Sequence, residues 1–344
     1  MEIAKQMDMP KSARFPWASG SSSGVVLAAV IVAAAVAPVF LSSYALRFGA
    51  LIFMYVALAQ SWNLIGGYGG LMSLAMPAFF GSGAVVSGVL VSWGVSPLVA
   101  LGCGMLCATF IALIIAAPTL RLQGHYFVVA TLLVAEAMRH GVLNLNVFGY
   151  SGNTALNIYN HVGLRDLEPA QYNEFFYFAM LALAALSMVI VLILERSKWG
   201  VALQSVRDNE RAAKALGIAA ARQKLYIFLL SAALAGVTGG MWAYWLGIVD
   251  TNEAFGFLIA FEVIVMVFLG GRGTLWGPVL GVCFVLAVNE WLGAGFPELQ
   301  MVILGLLVVL AVLFQPDGLV RLSSGFKAFT PAQLLSNLRR YKVK

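Results

Sequence analysis

Few side chains in this 344-residue sequence are equipped to do chemistry, and several of those lie in strongly apolar stretches. Glu136 and Arg139 stand one helical turn apart, a spacing at which opposite charges pair. Glu262 sits within an apolar run, and Asn289-Glu290 closes another. A lone charge at the centre of a membrane helix costs about 2.5–3.5 kcal/mol on insertion scales, so such groups face a bundle interior or a solute pathway. A structural pair is the preferred reading for Glu136 and Arg139. For Glu262, pathway lining and structural hydrogen bonding are balanced. Asn63, Gly66, Gly67 and Tyr68 offer backbone chemistry instead: glycines in a row allow a helix to break. Freed N–H and C=O groups at a break must be buried in protein or line a wet cavity, where they can bind the ammonium and carboxylate of a zwitterion. A tight turn without a ligand is the equal alternative, and both readings extend to Gly270-Gly-Arg-Gly273. These residues are the candidates for a translocation path.

Nothing in the chain has the pattern of an enzyme site. No Ser/His/Asp order, paired carboxylate or metal-ligand cluster stands out. His125, His140 and His161 are dispersed near loop ends, and Cys103, Cys107 and Cys283, an odd number, read as small core residues. No Gly-x4-Gly-Lys-Ser/Thr loop occurs, so ATP and Mg would be bound on another chain and this one is expected to bind no cofactor.

The remaining polar feature is one long charged island, Glu195–Lys224, between apolar segments. Good helix formers surround Asp208 and Glu210, and Gly217 is a natural stop. The expectation is a short helix offered to water by two membrane helices, a device for touching a soluble partner.

The elements that carry these residues follow from composition. Hydrophobic residues make up 61% of the chain and charged ones only 10%, and the mean hydropathy is +0.90. Soluble domains carry about 25% charged residues, so this is an all-α polytopic membrane protein. Hydropathy marks about ten transmembrane or re-entrant helices. They run near Val25–Phe40, Leu46–Ile65, Leu74–Val91, Leu98–Pro118, Tyr126–Val142, Phe175–Leu194, Leu225–Leu246, Phe257–Leu269, Leu275–Leu292 and Leu299–Phe314. The third, eighth and ninth are short or interrupted enough to be re-entrant or broken.

Charge tests the count. With the N-terminus inside, three cations before Val25, Arg121, seven in the island, Arg272 and six in the tail all fall on one side. That is 18 of the 21 Lys and Arg, with only Arg47, Arg139 and Arg165 outside, as the positive-inside rule requires. The formal charge of +6 therefore reports orientation rather than nucleic-acid binding. The organisation is a cytoplasmic segment 1–24, a membrane domain 25–315 with an external loop 143–174, and a basic cytoplasmic tail 316–344. Leucines at helical spacing beside Arg339 and Arg340 suit a tail lying on anionic lipid, with a plain solvated tail equally weighted.

Within the island, Ala212, Ala213, Gly217, Ile227 and Leu229 fall on a spacing that resembles the cytoplasmic signature of ABC-importer permeases. Arg211 stands where that signature has Glu, with Glu210 displaced by one, and Leu230 replaces its Pro. Further runs are similar to the branched-chain amino-acid permease family, M-type: Ser61–Leu74, Pro77–Gly83, Pro118–Thr131, Met266–Pro278 and Phe314–Leu319. Ala75-Met76 departs from that family's usual Gly-His. The resemblance implies a bacterial inner-membrane subunit with both termini cytoplasmic, importing branched-chain amino acids or related small polar solutes. It implies four kinds of partner: a second homologous permease, two cytoplasmic ATPases, an external substrate-binding protein and membrane lipid. It makes Arg207, Asp208, Asn209, Glu210, Ala212, Ala213, Leu216 and Gly217 the helix that couples to the ATPase. Two rivals stand beside this reading. A urea or short-amide permease would look nearly the same. A secondary transporter would need ion-coupling carboxylates at midplane, for which Glu136 and Glu262 are the available groups.

Overall fold

The computed structural model describes residues 22–122, 124–147, 150–160, 162, 168–295, 305 and 318–319. Outside them, apart from the residues just given, lie the N-terminal segment to residue 21, the tenth expected span and the basic tail. His161, Arg165 and Asp166 are outside as well.

The chain is mostly helical. In order come α1 (Ser22–Val36), α2 (Ser43–Trp62), α3 (Met76–Ser92), α4 (Pro97–Thr119), α5 (His125–Leu143) and α6 (Pro169–Arg196). After these follow α7 (Lys198–Asp208), α8 (Glu210–Ala215), α9 (Ala220–Leu246), the single turn α10 (Thr251–Ala254), α11 (Phe257–Gly270) and α12 (Gly277–Gly295). Among the described residues six helical segments are long and apolar enough to cross a membrane: Ser43–Tyr68, Pro97–Thr119, His125–Leu143, Pro169–Arg196, Ala220–Leu246 and Thr251–Gly270. Gly24–Val39, Met76–Ser92 and Gly277–Leu292 are shorter apolar helices. The third and ninth expected segments are thus short, whereas the eighth reaches membrane length with the turn before it.

The described residues up to Phe40 belong to one compact unit, holding α1 and a 3-10 turn at Ala37–Val39. In the second unit, α9 packs against α3, α4 and α2, α6 lies along α2, and the α11–α12 hairpin also rests on α2. Small residues allow the backbones to touch. A methyl group at Gly83 would fall 2.1 Å from the Gly236 carbonyl oxygen, and one at Gly239 would fall 2.0 Å from that of Phe80. Between apolar helices in lipid, close van der Waals packing of this kind replaces the hydrophobic drive available in water. A reciprocal polar clasp adds to it: Ser61 Oγ donates to the Ser231 carbonyl at 2.8 Å, and Ser231 Oγ to that of Ser61 at 2.7 Å.

At one end of α9 the loop after α5 carries structure. β1 (Asn146–Val147) pairs antiparallel with β2 (Tyr150–Ser151), and β3 (Leu156–Asn157) pairs antiparallel with β4 (Ile248–Val249), just beyond α9. Tyr150 Oη and Thr251 Oγ1 lie 2.8 Å apart and tie the hairpin to α10. At the other end of α9 lies the charged island, and there the structure corrects the expectation of a single short helix. Asn209 adopts φ −155°, ψ 99°, which separates α7 from α8. Its side chain accepts from the Ala212 N–H at 3.0 Å, so it caps α8 as Asn does at helix starts. Asp208 therefore ends the first helix instead of opening the second.

Candidate functional site

The island end of the bundle gathers most of the polar groups singled out from the sequence. α2 does not stop at Trp62: residues Asn63–Tyr68 continue as a wider π-helical turn, all of them buried. Such turns leave backbone groups out of the regular ladder and mark functional positions more often than chance. Leu71 N–H reaches back to the Ile65 carbonyl at 3.0 Å to close this one.

Asn63 faces the loop between α11 and α12. Its Nδ2 donates to the Thr274 carbonyl at 3.0 Å, and its Oδ1 accepts from the Gly273 N–H at 2.8 Å. Gln60, one turn earlier, donates to the Leu275 carbonyl at 2.7 Å. Glu195, at the end of α6, receives the Tyr68 hydroxyl. Arg207, at the end of α7, donates through Nη1 to the Gly67 carbonyl at 3.0 Å. That carbonyl belongs to the last turn of the helix, where oxygens lack intrahelical partners and a cation is favoured. Gly66 packs against the Trp62 ring, and a Cβ added there would fall 2.3 Å from it. Asn63, Gly67 and Tyr68 thus meet protein partners on several sides. Gly318, in the last of the runs quoted above, also returns here: a Cβ on it would fall 2.3 Å from Gly271 Cα.

The island itself is a small folded unit. Ala213 is buried with Val206 and Ala220, and Ile218 packs against them. Arg211, Ala212, Lys214 and Leu216 face out, with Leu216 81% exposed. Ala213 therefore belongs to the island's interior, while its neighbour Ala212 is on the surface. Gly217 has φ +83°, and a Cβ added to it would meet nothing within 4 Å, so it serves the chain reversal after α8. Glu210 receives Lys214 at 2.8 Å and Lys224 at 2.6 Å, which fastens α8 to the start of α9. Those hydrogen bonds, Lys214 first and then Lys224, hold the Glu210 carboxyl below the usual carboxylate range.

The other candidates lie elsewhere. Arg139 Nε donates to Glu136 at 3.0 Å, the pairing their spacing predicts, and Nη1 donates to Asn252 at 3.1 Å near the far end of α9. Glu262 accepts from the Tyr55 hydroxyl at 2.6 Å, between α11 and α2. Neither belongs to the island-end cluster. Cys283 is exposed on α12 rather than in the core, and Cys103 and Cys107 are half-buried. Among the described residues no three His, Cys, Asp or Glu side chains are grouped to hold a metal ion.

Reading the sequence alone missed Gln60 and Glu195 and did not connect Arg207 to the glycine run. Glu195 was the recoverable one, a carboxylate at the very boundary of an apolar segment. The remaining contacts join positions more than a hundred residues apart and leave no local pattern.

Residues 44–312 match the family described as branched-chain amino acid transport system, permease component. The chain belongs to this family. A relative from Escherichia coli K12, the high-affinity branched-chain amino acid transport system permease protein LivM, is 30% identical over 86% of this chain and 74% of its own length. The probable branched-chain amino acid transport permease protein LivH of Methanocaldococcus jannaschii is 24% identical over 78% of this chain and 80% of its own. A fructose import permease protein, FrcC of Rhizobium meliloti, is 26% identical over 41% of each chain. No solved structure matches. The protein is thus a multi-pass permease subunit of an ABC importer in the inner membrane, and the family works with ATPase and binding-protein subunits.

Proposed function

We propose that this permease imports branched-chain amino acids, Leu, Ile and Val, or related small polar solutes, alongside a second homologous permease. Two ATPases on the cytoplasmic side bind ATP and Mg, and a soluble receptor delivers substrate to the external loop and its β1–β2 hairpin. The substrate class is supported by the relatives that match over most of the chain, whose names specify branched-chain amino acids. The orientation is supported by the cation bias, which places the island and both termini inside, and ten crossings are the count that bias favours.

The observation that carries the coupling role is Leu216. It is a large apolar side chain, 81% exposed, at the end of a capped helix held out on a folded platform. A single exposed apolar side chain is ordinary by itself, and what supports a docking role for this one is its place on the helix that resembles the permease signature. Arg211 and Lys214 of the same helix are exposed as well.

The test is co-purification of the assembled importer and ATP-driven leucine uptake in proteoliposomes. Leu216→Glu should lower recovery of the ATPase subunits with the permease and cut uptake at least tenfold. Gly217→Arg should do the same, because an Arg at φ +83° strains the turn and its side chain projects beside the docking face. Normal coupled uptake by both variants would mean that α8 is only a solvated helix.

A further inference from the structure

The Arg207 side chain joins the π-helical turn at the end of α2 to the paired helices of the island. We propose that Arg207 is the positioning residue that carries movement of α7 and α8 into the membrane bundle, with the Gly67 carbonyl as its hold. This rests on the permease–ATPase reading above and names the route by which docking would reach the transport path.

Three observations carry it. First, the contact is shaped at both ends of the Arg207 side chain. Nη1 donates to the Gly67 carbonyl at 3.0 Å, while the aliphatic stem lies against Gly70, where an added Cβ would come within 2.5 Å of Arg207 Cγ. Gly70 has φ +67°, so the chain leaves the π turn in a conformation that glycine adopts without strain and that clears space for the stem. Asp208 Oδ1 accepts from Arg207 Nε at 3.2 Å and steadies the guanidinium from the other side.

Second, the turn that Arg207 grips is itself wired to a second break. A Cβ at Gly67 would lie 2.1 Å from Asn63 Oδ1 and 2.5 Å from Gly273 N, so π turn and α11–α12 loop are in direct register. Asn63 and Gln60 hold three backbone groups of that loop, and Tyr68 with Glu195 adds the end of α6. Displacing Gly67 therefore shifts helix ends of α2, α6, α11 and α12 together. Packed elements of this kind move between discrete arrangements rather than deforming smoothly.

Third, Arg207 lies at the hinge. It is two residues before Asn209, whose extended backbone separates α7 from α8. A pull on α8 reaches α7 at that point, and Arg207 is the first long side chain it meets that ends on the bundle.

The experiment uses the complete importer reconstituted with its ATPases and leucine-loaded binding protein. ATP hydrolysis and leucine uptake are measured for Arg207→Ala, Arg207→Lys and Gly70→Ala, with the exposed Arg222→Ala as control. Arg207→Ala should lose stimulation by the loaded binding protein and move about tenfold less leucine per ATP. Arg207→Lys, a point charge that still reaches a single carbonyl, should recover part of that ratio. Gly70→Ala should resemble Arg207→Ala although every charge is retained. Unchanged leucine per ATP in Arg207→Ala overturns the proposal. Should that variant fail to assemble, Arg207→Lys decides: a lowered ratio supports the proposal, and an unchanged one makes Arg207 a folding anchor and overturns it. A wild-type chain that never recruits an ATPase sinks the permease–ATPase reading itself, which is a distinguishable result.

Discussion

Glu210 shows how a single residue was only half legible. Its position one step from the Glu of the permease signature looked like a displaced copy of that residue. In the structure its carboxylate takes Lys214 and Lys224 and fastens α8 to α9. Its pKa is lowered by those hydrogen bonds, so its contribution to the island's stability is complete above the ordinary carboxylate range. That contribution is lost only as the pH falls through the depressed value. Leucine uptake by the wild type should accordingly show no Glu210-dependent change between pH 6 and pH 8. Glu210→Gln, which removes the charge at every pH, should lower uptake by a similar factor at both pH values, about two- to threefold for a partly solvent-screened pair. A defect confined to one end of that range would assign the effect to another group. Residue pairs close in sequence, such as Glu136 and Arg139, were readable from helical spacing. Pairs such as Tyr55 with Glu262 were not, because no local pattern joins positions on different helices.

At the scale of elements, apolar runs located the described helices with ends off by at most about six residues. The physics is simple there, because an element that must satisfy every backbone group in lipid has to be a helix. The island was less legible. Helix propensity through Arg207–Ala215 favours one continuous helix, and the break at Asn209 follows from a capping hydrogen bond and from the need to bury Ala213 against Val206 and Ala220. The glycine run was legible as a break but not as a junction. That role rests on Gly67, whose missing side chain lets Asn63 and Gly273 approach. Gly67→Ala places a methyl group on Asn63 Oδ1 and should part Asn63 from the α11–α12 loop. Each buried polar group left without its partner costs about 1–3 kcal/mol. Thermal unfolding in detergent should drop by several degrees and uptake should fall with it. Gly102→Ala, where an added Cβ meets nothing within 4 Å, is the matched control. Equal melting of the two variants would show that the junction bears no load.

For the whole molecule, the two ends of α9 define sidedness. Its 27 residues span about 40 Å, enough to cross a bilayer. The island runs into its first turn, and β4 begins two residues after its last residue. Because β3 pairs with β4, Asn157 must lie at the same end as Ile248, and Asn252 of α10 follows closely. Asn209 lies at the opposite end. With α9 crossing the bilayer these positions would lie on opposite sides, and the proposed orientation puts Asn209 inside. Single cysteines introduced at Asn209, Asn157 and Asn252, after replacing Cys103, Cys107 and Cys283, provide the measurement. An impermeant maleimide added to intact cells should label Asn157→Cys and Asn252→Cys but reach Asn209→Cys only after the membrane is opened. Labelling of Asn209→Cys from outside would invert the orientation and remove the island from the reach of any cytoplasmic ATPase. Labelling of all three from one side would contradict the fold itself, since α9 would then not cross the membrane.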